Sequence, residues 1–380
     1  MKIFVHAGTF KTGSSAFQNS LYHQRENLLK QGILYPISGL SEDGDVIGYR
    51  HSRFVYEYGK ESYSQLIEDL RGEINKHKPT TLIISSEAWS RPGAAKSLFR
   101  LIDNLQTNPN EKATLYFVVR NVFDYTVSHY REFVRRWGWS YEFGDYILQR
   151  IGFFDYNKLF KPFVGKNINV KFLKYSQSVN ETIIRDLGIE HLISADKQLR
   201  RNLSLTAPDA EIYRRFNIMN GDAEQEKVPS FEQVVSELGL DCKGSKFIED
   251  IPPPEFLSKF DENYVSQFEN ITGLDKSLLD INQSRFKNTE TTSLSNVKPL
   301  IDLYFSMKLK RSLLNNIENK GTSELQEHIE LIQKFNWVVD VKPNKAQKLA
   351  SLTLRQRLTA RVAKFLPTGI KSFLKTIWSR

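Results

Sequence analysis

The chain has 380 residues, 40% of them hydrophobic and 26% charged, which is the composition of a globular protein with room for a large core and excludes a disordered chain. Its single cysteine, Cys242, excludes an internal disulfide and fits a reducing compartment, and no apolar run approaches the length of a membrane span. The net charge is +9, yet the ten Lys and Arg between Lys342 and Arg380 meet no acidic residue there, so the rest of the chain sums to −1 and the basicity does not mark a nucleic-acid enzyme.

Lys2-Ile3-Phe4-Val5 is short and apolar enough to be a buried strand, and Met1 leads straight into it, without the pattern of a signal peptide. The loop His6-Ala7-Gly8-Thr9-Phe10-Lys11-Thr12-Gly13-Ser14-Ser15 follows, then a helical pattern over residues 13–31 with Phe17, Leu21, Leu28 and Leu29 on one face. A strand, a Gly-bearing loop and a helix start make an anion site. The first N–H groups of a helix lack partners within it, and the dipole adds positive charge. Gly8 and Gly13 have the spacing of the nucleotide loop G-x-x-x-x-G-K-[ST], but Ser14 stands where its lysine belongs and Lys11 lies inside the loop. A lysine there points at something nearer the loop crown than the outer phosphates of a triphosphate.

Lys11-Thr12-Gly13-Ser14-Ser15-Ala16-Phe17-Gln18 resembles the 5′-phosphosulfate loop of the bacterial carbohydrate-type sulfotransferases that use 3′-phosphoadenylyl sulfate. The resemblance implies that Lys11, Thr12, Gly13, Ser14 and Ser15 bind the donor and that Lys11 neutralises the leaving phosphate.

Further along, Ile33-Leu34-Tyr35 reads as a short strand, and residues 45–77 as two helices broken near Gly59, with His51 in the first. Thr80 to Ser86 is a buried strand ending at Glu87, residues 93–106 a helix, and Ala113 to Val119 the next strand. Alternating strands and helices imply an α/β fold, a P-loop-type doubly wound parallel sheet flanked by helices, whose ligands bind off the carboxyl ends of the strands. Glu87, just past a buried strand, is placed to act as a general base. In carbohydrate-type members of the resembled family a glutamate here deprotonates the acceptor hydroxyl, and other branches use a histidine, which makes His51 the rival.

Arg120 leaves the third strand and Ser128 follows on the next helix; an arginine fork with a hydroxyl can hold a second phosphate. The pair is similar to the family's 3′-phosphate element R-N-P-x-D-R-x-x-S, with Val122 in place of its proline and Tyr125 in place of its second arginine. Arg131, Arg135, Arg136, Trp137 and Trp139 would suit an acidic glycan, or form a solvated basic face. Ile168 to Tyr175 is the last clear strand; by resemblance Tyr175 touches adenine and Asn202 lies near the 3′-phosphate.

The resemblance covers about residues 3 to 275. The expected organisation is an α/β domain over 1–296, a helical extension over 297–340 and a basic amphipathic tail over 341–380, which carries Leu349, Leu352, Leu358, Val362, Phe365 and Phe373 among its cations and suits an anionic membrane surface. The implied activity is transfer of a sulfuryl group to a hydroxyl of a carbohydrate or glycolipid. It releases adenosine 3′,5′-bisphosphate, needs no metal, and belongs in the cytoplasm, peripheral to the inner face of the membrane. A P-loop-like kinase and a donor-binding adaptor without turnover are the alternatives; a kinase would want a magnesium-binding Asp and a lysine after the second glycine.

Overall fold

A computed structural model describes residues 1–43, 46–106, 110–193, 205–220, 228–238, 246–248, 252–280, 291–294 and 297–308. Two compact units divide the chain, the first Met1–Asn217 with Asp222–Lys298, the second Ile218–Gly221 with Pro299–Arg380. In the second, residues 299–308 are helical. The expected tail at 341–380 lies outside the described residues.

The first unit is built on five parallel strands: β1 (Lys2–His6), β2 (Ile33–Leu34), β5 (Thr81–Ser85), β6 (Ala113–Val119) and β7 (Ile168–Lys174). Their order is β2-β5-β1-β6-β7, with the first strand in the centre. Helices α1 (Ser14–His23), α2 (Arg25–Lys30), α3 (Arg53–Tyr56), α4 (Ser62–His77), α5 (Ala95–Leu105), α6 (Val122–Trp137), α7 (Phe143–Gln149), α8 (Tyr156–Phe160) and α9 (Val179–Asp186) connect and flank them. Beyond these come α10 (Ala207–Asn220), α11 (Phe231–Glu237), α12 (Pro254–Leu257) and α13 (Glu262–Thr272). Two small ladders complete the described structure, β3 (Glu42–Asp43) antiparallel to β4 (Val46–Ile47), and β8 (Lys246–Ile248) parallel to β9 (Thr291–Ser293).

Side chains alternate across the sheet as strand geometry requires. Ile3, Val5, Leu82, Ile84, Leu115, Phe117 and Val119 face a core shared with α4, α5, α6 and α8. Phe4, Ile83, Tyr116 and Val118 face the opposite core, shared with α1, α2 and α9. Covering both faces leaves the middles of the central strands apolar on both sides, which is why they stood out in the sequence.

Two expectations are corrected. The single helix over 13–31 is two, because the backbone of Gln24, at φ −95° and ψ 6°, leaves the helical conformation between them. Residues 46–52 are not helical. His51 is drawn to the sheet instead: its N–H donates to Ser85 O at 2.8 Å, and Ser85 N–H donates to its ring Nδ1 at 3.1 Å.

Candidate functional site

Three neighbouring strand ends, those of β5, β1 and β6, deliver Glu87, the loop Ala7–Gly13 and Arg120 to one edge of the sheet. The loop is pinned on its β6 side. Ala7 and Thr9 donate their N–H groups to Tyr116 O and Val118 O, and the Thr9 hydroxyl also donates to Val118 O. On its β5 side it lies against the short 3-10 helix Glu87–Ser90. Gly8 has φ +93°, and a Cβ there would stand 3.0 Å from Glu87 Cα, Glu87 Cβ and Ser90 Oγ. Only glycine fits that approach.

Gly13 enters α1 in the left-handed region, and no side chain caps the helix, so the first-turn N–H groups carry no side-chain acceptor. Ser14 is buried at the first helical position and Ser15 is exposed beside it. Thr12 also holds the loop's shape. Its hydroxyl is buried and donates to Thr9 O at 2.7 Å, bracing the loop from within.

Lys11, at φ +62°, is held twice. Its Nζ pairs with Glu132 Oε2 at 3.2 Å, and its carbonyl accepts from Arg120 Nη1 at 3.0 Å. Glu132 lies one turn after the buried Ser128 on α6, so the face bearing Ser128 is the face that meets the loop. The Arg120 guanidinium also stacks over the Tyr175 ring, 5.0 Å from its centre. Asn121 anchors this corner by capping α6, accepting from Phe123 N and Asp124 N, while its amide donates to Ser277 O and Asp280 O. Lys11, Arg120 and Tyr175 are thus directly linked. Asn202 lies outside the described residues.

Glu87 is buried, with partners for both oxygens: Gln18 Nε2 donates to Oε2 at 2.8 Å and Arg50 Nη1 to Oε1 at 3.4 Å. Gln18 also donates to Ser85 Oγ, which shares a 2.8 Å hydrogen bond with His6 Nδ1. Burial pushes the His6 imidazole down to about 4, against the opposing pull of Glu87, so His6 is a neutral structural partner near neutral pH.

The rival base, His51, is a correction. It is fully buried, not on a helix, and both ring nitrogens are engaged, Nδ1 by Ser85 N–H and Nε2 by Pro36 O at 2.9 Å. Nε2 therefore carries the proton and Nδ1 has its lone pair occupied. Burial holds it down at about 4. With no free nitrogen it fastens the chain to β5 and is not placed to take a proton from an acceptor.

Gln18, Arg50 and Glu132 escaped the reading of the sequence. Gln18 had a signal, a polar residue within the buried stripe Ser14, Phe17, Gln18, Leu21 of α1. Glu132 had one too, four residues after Ser128. Arg50 had none, because an irregular loop brings it in. The predicted basic face also divides: Arg131 donates to Leu205 O, Arg136 pairs with Glu132, and Trp137 is exposed.

Among the described residues, no group of three or more His, Cys, Asp or Glu is placed to hold a metal, and no helix is long and apolar enough to cross a membrane. No family model, curated protein or solved structure matches the chain.

Proposed function

We propose that this chain transfers a sulfuryl group from 3′-phosphoadenylyl sulfate to a hydroxyl of a carbohydrate or glycolipid, on a sheet of the P-loop type. The observation that carries the reading is the meeting of three strand ends: an uncapped helix start behind a glycine loop, a buried carboxylate packed on that loop, and an arginine bonded to the loop's lysine. The loop N–H groups with Ser14 and Ser15 would hold the 5′-phosphosulfate, and Arg120 with Ser128 the 3′-phosphate beside Tyr175.

In the reaction the acceptor oxygen attacks sulfur in line, its proton passes to Glu87, and the bond from sulfur to the phosphate oxygen breaks. Lys11 would leave Glu132 for the donor and stabilise the charge gathering on adenosine 3′,5′-bisphosphate as it departs. Gln18 and Arg50 orient the carboxylate and leave each of its oxygens a second lone pair for the incoming hydroxyl. The same reading places the protein in the cytoplasm, with its basic tail on the inner face of the membrane.

The test is ligand-induced thermal stabilisation. Adenosine 3′,5′-bisphosphate should raise Tm, while ATP with magnesium should not. It should also bind at least about tenfold more tightly than adenosine 5′-phosphate, the worth of one charge-assisted arginine contact. Equal affinity for the two monitored by calorimetry would remove the 3′-phosphate site, and a response to ATP with magnesium alone would point to a kinase.

A further inference from the structure

Beside the loop lies a second group of cations that no carboxylate answers among the described residues. Arg91 follows Glu87 by four residues, at the exit of the 3-10 helix that presents that carboxylate. Its guanidinium stacks over the Tyr56 ring at 5.1 Å and the Phe153 ring at 5.9 Å. Arg150, just after α7, stacks over Phe133 at 5.2 Å, over Trp139 at 5.5 Å and over the same Phe153 at 5.9 Å. Phe153 in turn packs on Phe10 of the loop, with ring centres 6.5 Å apart. Among the described residues neither arginine pairs with an acid, and both are partly exposed.

A guanidinium stacked on a ring uses its face, so the N–H groups on its edge stay open to a planar or tetrahedral anion. Two such groups sharing one aromatic floor concentrate positive potential that a protein without a ligand ordinarily offsets with carboxylates, as Glu132 offsets the neighbouring Lys11. The buried His129 registers that potential: burial first, then Lys11, Arg150 and Arg91, push its imidazole down to about 3. Tyr56, 47% exposed, adds a ring face of the kind sugars stack on.

We propose that Arg91 and Arg150 form the acceptor-side anion site, and that the acceptor is an acidic glycan carrying a carboxylate or phosphate close to the hydroxyl presented to Glu87. This rests on the sulfotransfer reading only for the name of the reaction. The arginines have not been given any part in donor binding, which makes the two separable by experiment.

The experiment titrates the full chain, with and without saturating adenosine 3′,5′-bisphosphate, against three probes by calorimetry: a glucuronate-bearing oligosaccharide, its carboxyl-reduced form, and the reduced form carrying a phosphate monoester. At least one anionic probe should bind about fivefold or more tightly than the neutral one, as charge-assisted bonds require, and which one does so tells carboxylate from phosphate. Arg91→Gln with Arg150→Gln should abolish that preference with nucleotide affinity unchanged, and the double Lys substitution should restore part of it. Equal binding of all three probes, including no binding of any, overturns the proposal, as does a preference that survives the double Gln variant. Failure of the wild type to bind the nucleotide would instead remove the sulfotransfer reading, and the probes on the free protein would still decide this one.

Discussion

Glu87 and His51 both adjoin the end of β5 but differ in what they can still do. Glu87 keeps a free lone pair on each oxygen, so Glu87→Gln should leave adenosine 3′,5′-bisphosphate binding intact and cut turnover by about 10²–10⁴-fold, the usual worth of a general base. A variant with near-native turnover would take the base role from it. His51 has nothing to spare, and its consequence is for stability. Its folded value of about 4 lies below the ordinary 6.5, so between these the unfolded chain binds more protons. Stability is therefore full above pH 6.5 and is lost as pH falls toward 4. The loss from pH 7 to pH 5 should be on the order of 2 kcal/mol for this one histidine. Urea unfolding at the two pH values measures it, and His51→Asn should flatten the slope by that amount; an unchanged slope would mean the ring takes up its proton as readily in the folded protein as in the unfolded chain.

At the scale of elements, the glycine at the close of β1 carries the packing of two strand ends. Gly8→Ala places a methyl group against the Glu87 backbone in a conformation that L-residues avoid, and should cost about 1–3 kcal/mol while displacing Glu87. Thermal unfolding would show the loss; a variant as stable as the parent would mean that the 3-10 helix moves aside freely. The strands were legible because a doubly covered sheet demands apolar and β-branched runs, and Thr80 to Ser86 and Ala113 to Val119 supply them without a charged residue. The loop and the strand-end residues Glu87 and Arg120 were legible for a related reason, since ligands gather where such strands end. Residues 46–52 were not, because nothing local in Tyr49-Arg50-His51 announces that a ring nitrogen will take a backbone N–H from a strand 34 positions away. The break at Gln24 was equally silent, as helical spacing continues through it.

Over the whole molecule the charge is lopsided. Removing residues 341–380 takes the net charge from +9 to −1. If the tail reads an anionic leaflet, each basic residue near the surface contributes roughly 1 kcal/mol, falling off within a Debye length. The shortened chain should then lose cosedimentation with phosphatidylserine vesicles at moderate salt while still binding adenosine 3′,5′-bisphosphate. Vesicle binding that survives the cut would place the contact elsewhere. The strand order has a different consequence, one for synthesis. The central strand leaves the ribosome before both of its neighbours, and the pairings that enclose it span 79 residues to β5 and 110 to β6. Contacts that distant must pay loop-closure entropy before they return anything, so folding is expected to be slow for the size of the sheet. Until β6 has been made, the edge of β1 that pairs with it has no partner, although β5 already covers the other edge, which ties completion of the binding loop to the arrival of β6.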